Sequence, residues 1–449
     1  MPAKASRAIS SPSAFLLGLS AMLAVPLQAV GQQGVAAETF VLINATLIDG
    51  TGTQPRPGTT ITVRDGLITA VSPAEGPSPA AGVHRIDLAG RFVVPGLIDA
   101  HVHLSNNPDP SGALETLLHN GVTAVRDMGG DARTLAVLAR DSQIGQIQGP
   151  SIFFSALLYG PDFLQDPRSR FSQRGMEPGT APWSRVVTES ADVTQVVAEA
   201  RGTGATGLKL YSAVHPALLK AIVKEAHRQD LEVWSHSSIY PSRPSDAVRA
   251  GVDVLSHAAG LYPEAFEQIP SSYTEAITNW FPVQDFGKDA DGTPAFADLF
   301  GEMARNGTIL EPTLSPGPTP PGQGREGQQA HLARAAAQID MEARNAWACD
   351  ATRAAYRMGV RIAAGTDSNG SDDVRREIQA LVRCGLDPLA AIASATTHAA
   401  AAIGIDATHG SIVAGMAADL LILDADPSLD VANLYRIDRV MKAGRWVER

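Results

Sequence analysis

His101 and His103 stand two residues apart at the end of an apolar run, Val93-Val94-Pro95-Gly96-Leu97-Ile98-Asp99-Ala100-His101-Val102-His103. In an extended strand, residues i and i+2 face the same side, so both imidazoles enter one cavity. Imidazole is a common ligand for zinc and similar metals. A single His-x-His pair says little by itself. Four further candidate ligands, however, each lie near the end of a short apolar segment: Lys209 in Gly207-Leu208-Lys209-Leu210-Tyr211, His236 in Val233-Trp234-Ser235-His236, His257 in Val254-Leu255-Ser256-His257, and Asp367 in Ala363-Ala364-Gly365-Thr366-Asp367. Each has an ordinary reading. A strand-end histidine is more often a hydrogen-bonded structural group, and Asp367, followed by Ser368 and Asn369, could cap a helix. Six repetitions of the same placement argue instead for one metal site.

The segments carrying these residues alternate with helical-looking stretches, the pattern of a parallel α/β fold. Eight strand candidates end near His103, Met128, Ala156, Tyr211, His236, His257, Leu314 and Asp367. Helical stretches between them include 113–120, 134–140, 193–201, 216–228 and 331–358. Eight such units predict a (β/α)8 TIM barrel, whose active site forms at the C-terminal ends of the strands. All six candidates fall there, on strands one, four, five, six and eight. Both chain ends are strand-rich, at 39–48 and 59–71 and again at 418–424 and 440–447, and predict a small β-sandwich domain built from the two ends together. The expected boundaries are 38–92 and 406–449 for that domain and 93–405 for the barrel. Insertions at 158–188, 261–292 and 315–328 follow strand ends, where they would rise over the mouth as lids or specificity loops.

The chain has 449 residues, 44% hydrophobic and 18% charged, with a formal net charge of -11. These are the proportions of a folded protein with room for a large domain and a smaller one. Nucleic-acid binding is not expected, because phosphate neutralisation needs clustered Lys and Arg. Residues 1–37 read as an export signal, with Lys4 and Arg7 ahead of an apolar stretch at 14–25 and small residues for cleavage after Ala29, Gly31 or Ala37. The stretch is short and ends at Pro26, which argues against a membrane anchor. A periplasmic or secreted location is therefore expected. Cys349 and Cys384 could pair in such a compartment or stay as two buried thiols.

At these residues the chain resembles the amidohydrolase superfamily, in particular its imidazolonepropionase-like and Xaa-Pro-dipeptidase-like branch. The resemblance runs through Pro95 to His103, through Gly121-Val122-Thr123-Ala124-Val125-Arg126-Asp127, and through the tail Ala414-Gly415-Met416-Ala417-Ala418-Asp419-Leu420-Leu421-Ile422-Leu423. It implies a binuclear site. His101, His103 and Asp367 would bind one divalent ion and His236 and His257 a second, with Lys209, carboxylated by CO2, bridging them alongside a hydroxide. An ammonium aimed at dications would be repelled, whereas a carbamate offers two anionic oxygens. An unmodified Lys209 in a mononuclear site is the alternative. Zinc is the default ion, though Mn or Co can occupy such a site. Asp367 would take a proton from the attacking hydroxide and pass it to the leaving nitrogen.

The resemblance implies hydrolysis of a C–N amide bond in a dipeptide or N-acyl amino acid, by an enzyme assembled from several copies of the chain. Ochratoxin-type amides fall within the reach of related branches. A lactam, cyclic imide, lactone or phosphotriester is the competing substrate class, and a non-catalytic scaffold would be expected to have lost ligands. Tyr211, on the same side of its strand as Lys209, would either hydrogen-bond a reacting oxygen or wall the site. Arg126 and Asp127 are expected to pair with each other. Arg168, Arg170, Arg174 and Arg185 populate the first insertion, where one could clamp a substrate carboxylate. His215 reads as a loop or cap residue, His331 as a solvated first-turn residue and His398 as packing.

Overall fold

The computed structural model describes residues 39–73, 83–166, 169, 173, 175–276, 286–314 and 341–448. The expected export signal, the Pro/Gly-rich stretch 315–328, His331, Arg168, Arg170 and Arg174 lie outside the described residues.

The barrel strands are Leu97–Val102, Val122–Asp127, Ser151–Tyr159, Gly207–Leu210, Glu232–His236, Val254–Ser256 and Ile309–Glu311, each paired in parallel with the next. The segment 361–368 supplies the eighth position and closes the ring. It bridges Leu310 through Ile362 on one side and Val102 through Ser368 on the other. The Ala100 amide donates to the Ala364 carbonyl at 3.0 Å, and the Asp367 amide to the His101 carbonyl at 2.8 Å. Gly365 allows that approach, since a Cβ there would stand 2.6 Å from the His101 Cβ. The fold is the expected (β/α)8 barrel. The third strand runs on to Tyr159 and the seventh stops at Glu311, each differing from its expected end.

A helix follows each strand in turn: Pro110–His119, Ala132–Gln143, Val193–Gly202, Pro216–Arg228, Pro244–Ala250, Pro294–Asn306, Met341–Arg357 and Val374–Arg383. Local chemistry sets their starts. Asp109, Asp131, Asp192 and Asp373 accept backbone N–H groups of the first turn. Pro occupies the start of others, where its missing N–H costs nothing. Two more helices, Pro388–Ser394 and Thr397–Ile403, come after the eighth. Ala399, Ala400, Ala402 and Ile403 of the last pack against Ile98, Ala124, Trp234 and Val254 of the barrel.

Both chain ends build one eight-stranded sheet. Thr39–Leu47 pairs with Arg56–Arg64, and Phe92–Pro95 joins Thr39–Leu47 to Leu420–Leu423. The sheet thus extends through Pro95, past the boundary expected after residue 92. Strand Leu420–Leu423 is buried on both faces, which explains its unbroken apolar run. Leu420 and Ile422 belong to the end-sheet core, Leu421 and Leu423 to the core around the barrel.

Cys349 and Cys384 form a disulfide, their Cα atoms 5.2 Å apart. It ties the seventh barrel helix to the end of the eighth. Among the described residues no helix is long and apolar enough to cross a membrane.

Candidate active site at the barrel mouth

The first strand delivers its histidines from an irregular ladder. Its pairing with the second strand shifts register between Leu97 and Ile98 and again between Asp99 and Val102. Bulges of this kind re-aim side chains beside active sites. The His101 and His103 rings end with centroids 5.3 Å apart. Asp367 lies between them, its Oδ1 3.0 Å from His103 Nε2 and 3.3 Å from His101 Nε2. Candidate ligand atoms of His101, His103 and Asp367 all fall within 4.8 Å of one another.

The other histidines extend this group. His257 stands 5.0 Å from His101 between ring centroids, and its Nδ1 is 3.8 Å from Asp367 Oδ2. His236 lies 4.5 Å from His257 and Tyr211 5.1 Å from His236. Five rings from strands one, four, five and six thus touch in unbroken sequence. Tyr211 also meets Phe163 of the first insertion at 4.6 Å, so it combines a wall position with reach toward His236. Lys209 is fully buried, and its Nζ donates to Ser256 Oγ at 2.7 Å, on the residue before His257.

Backbone strain concentrates here. His257, Thr313 and Asp367 hold positive φ values of 74°, 51° and 53°. Non-glycine residues adopt that region only where their surroundings impose it. Thr313 Oγ1 lies 2.8 Å from His257 Nδ1, so the two strained turns brace each other.

Burial favours the neutral form of two of the histidines, while their neighbour Asp367 is held ionised. Burial pushes His101 down against the pull of Glu311 and Asp367. Burial and the adjacent His236 push His257 well below its ordinary value. For Asp367 burial works upward, yet His101, His103 and His257 together hold it well below the usual carboxylate range. His103 is the exception: burial lowers it, but the Asp367 hydrogen bond and charge outweigh that and raise it. Burial brings Lys209 down to about 7, where an uncharged amine is available for modification. Neutral nitrogens and carboxylate oxygens are the donor set that a divalent transition metal requires, so the residues present fit such an ion.

Glu311 is the functional residue that the strand boundaries concealed. It ends the seventh strand fully buried, with Oε1 on His101 Nδ1 and Oε2 on the Arg126 guanidinium. A carboxylate on Nδ1 fixes the ring and directs Nε2 toward the site. Arg126 also donates to the Ala100 and Ala402 carbonyls at 2.6 and 2.7 Å and lies over Trp234. The expected Arg126–Asp127 pair is therefore corrected. Adjacent strand residues face opposite sides, and Asp127 instead accepts the Leu104 and Gly129 amides. The signal for Glu311 was present, an acid closing the apolar Ile309-Leu310, but a strand running to residue 314 hid it. Arg185 pairs with Glu199 on the third barrel helix. His215 is the N-cap residue of Pro216–Arg228, and His398 packs with its Nδ1 3.1 Å from the Ile362 carbonyl.

A parallel barrel with histidines and an aspartate at its C-terminal face defines the class of metal-assisted hydrolases. The amidohydrolase family model matches residues 92–447. Imidazolonepropionase of Chromobacterium violaceum is 27% identical over 391 residues, covering 82% of this chain and 85% of that protein. Adenine deaminase of Paracoccus denitrificans is 40% identical over 70 residues only, 15% of this chain and 12% of that one. A solved Xaa-Pro dipeptidase with methionine bound in its active site superposes with a TM-score of 0.68 at 22% identity, covering 92% of this chain and all of the other. The chain belongs to the amidohydrolase family. It is a hydrolase acting on carbon–nitrogen bonds.

Proposed function

We propose that the protein is a binuclear metal-dependent amidohydrolase that cleaves a linear amide, in a dipeptide or an N-acyl amino acid. The observation that carries this reading is the meeting of His101, His103, His236, His257 and Asp367, with the buried Lys209 hydrogen-bonded to the residue before His257. In this reading His101, His103 and Asp367 would hold one divalent ion, His236 and His257 would hold the other, and Lys209, as the carbamate, would supply anionic oxygens to the pair. Zinc is the ion proposed. Bound there, such ions would supply Lewis acidity, making a water acidic enough to ionise near neutral pH and polarising a carbonyl.

The protein's own groups do the rest. Glu311 holds His101 in one tautomer. Asp367, ionised at rest, accepts a proton from the attacking water on a carboxylate oxygen and returns it to the leaving nitrogen, which departs badly as an anion. Tyr211, in this reading, donates its hydroxyl hydrogen to the oxyanion of the tetrahedral species. The dipeptide class is supported by the Xaa-Pro dipeptidase neighbour. The broad sequence match to imidazolonepropionase favours a second reading, a cyclic amide.

The test is a panel of dipeptides, N-acyl amino acids and lactams, assayed with zinc-replete protein. Faster turnover of a linear member supports the first reading, and preference for a lactam replaces it with the second. Export to an oxidising compartment is part of the proposal, supported by the Cys349–Cys384 disulfide. A mature N-terminus within 30–38 on protein recovered from the cell exterior or periplasm would test it. A homo-oligomer is also proposed, to be read by light scattering.

A further inference from the structure

Helix Met341–Arg357 follows the seventh strand, so its first turn starts on the mouth side of the barrel. Lower down, Ala348 packs on Ala258 and Ala259, the two residues after His257. Arg344 precedes Ala348 by four residues and therefore shares that helix face, one turn nearer the mouth. It is half-buried, and while burial disfavours its charge, the carboxylate of Asp367 acts on it in the opposite sense. Its side-chain hydrogen bond, to Asn345 Oδ1 at 3.4 Å, is long and neutral. Among the described residues no carboxylate lies within ion-pair distance of it, whereas Arg126, Arg133, Arg140, Arg228 and Arg375 each hold an acid. A sheltered guanidinium on the mouth side of the barrel, with no acid partner among the described residues, suits an anion brought by the substrate.

The far side of the mouth has a different character. Tyr211 continues into Phe163 and Tyr273, with Phe163–Tyr273 centroids 5.4 Å apart. The Tyr273 hydroxyl donates to Asp166 Oδ2 at 2.5 Å and ties the two insertions together there. This wall is aromatic, and it stands beside His236 on strand five, while Arg344 stands beyond strands six and seven.

We propose that Arg344 is a specificity-determining residue that binds the substrate's free carboxylate. The amide then spans the histidines, with its apolar part toward Tyr211 and Phe163. The inference rests on the amide-hydrolase reading and names the residue that recognises the carboxylate such substrates carry on the amine side of the scissile bond.

The experiment compares acetate release from N-acetyl-L-leucine and N-acetyl-L-leucinamide by zinc-loaded wild type, Arg344→Gln and Arg344→Lys. Calorimetric binding of L-leucine and L-leucinamide to the same three proteins is measured alongside, with metal content as the control for an intact site. Wild type should favour the acid. Arg344→Gln should reduce the acid-to-carboxamide ratio of kcat/KM by about 10–100-fold, the worth of hydrogen bonds to a charged group, mainly through KM. Arg344→Lys should recover part of it. An unchanged ratio at full metal content overturns the role of Arg344 and leaves amide hydrolysis standing. Failure of wild type to cleave either compound counts against the amide reading for this class. The binding arm then decides Arg344: selective loss of L-leucine binding in Arg344→Gln supports it, and equal binding to wild type and variant overturns it.

Discussion

The end sheet and the barrel mouth bury opposite kinds of group. The sheet closes over Leu42, Ile61, Val63, Leu420 and Ile422, all fully buried and all apolar. The mouth buries Asp99, His101, Arg126, Lys209 and Glu311 just as completely. Apolar side chains would fill that volume without the desolvation cost of charge, and replacing a buried ion pair by apolar residues is often neutral or stabilising. The mouth therefore keeps an arrangement that stability alone does not favour. Under the proposed function those charges have duties, with Glu311 orienting His101 and Asp367 staying ionised. The end sheet carries no such duty and follows the ordinary logic of a core.

Changes at the mouth should separate activity from stability. The largest effect is expected from Asp367→Asn, which removes the proton carrier at nearly constant volume. It should lower kcat by about 10²–10⁴-fold, measured in initial rates, with little change in the unfolding midpoint of the metal-free protein. A comparable fall in both would make Asp367 a structural residue and erase the contrast with the sheet.

Next comes Glu311→Ala. It leaves Arg126 buried without its acid and His101 Nδ1 without its partner, at a cost of about 3–5 kcal/mol in denaturant unfolding. It should also weaken metal retention by about 10–100-fold. Leu42→Ala in the end sheet sharpens the comparison from the other side. It should cost about 2–5 kcal/mol with metal content and kcat unchanged. If Leu42→Ala impaired metal retention, the two regions would be coupled.

A further effect is in pH. In metal-free, unmodified protein, Lys209 titrates at about 7 when folded, against 10.5 ordinarily. Between those values the unfolded chain binds more protons, so stability rises with pH from about 7 to 10.5 and loses this contribution below. Lys209→Met should flatten that rise in a thermal-unfolding series, and an unaltered slope would place the titration elsewhere.

Much of this architecture was legible in the sequence because the signals were local and repeated. The six candidate residues each close an apolar segment, and the period of the segments matches βα units, so barrel and mouth followed together. Strand ends were less legible. Pro312, Thr313 and Leu314 continue an apolar stretch, and only the fold shows the turn at Thr313 with positive φ that frees Glu311 to face His101. The Arg126 partner was likewise hidden, because Glu311 lies far away in sequence and the adjacent Asp127 offered a nearer acid. Arg344 lay inside a helical stretch with no local mark of its own. Its position depends on how Ala348 packs against Ala258, a tertiary contact. The disulfide was open for the same reason, since two cysteines on separate helices pair only if those helices are neighbours.

The central claim is that one lysine and five other side chains hold two cations at the mouth. Its most direct test is elemental analysis of purified wild type and Lys209→Ala, both loaded with zinc in bicarbonate-containing buffer and passed through gel filtration. The account predicts two ions per wild-type chain and one or none in the variant. A single ion in both proteins would contradict it.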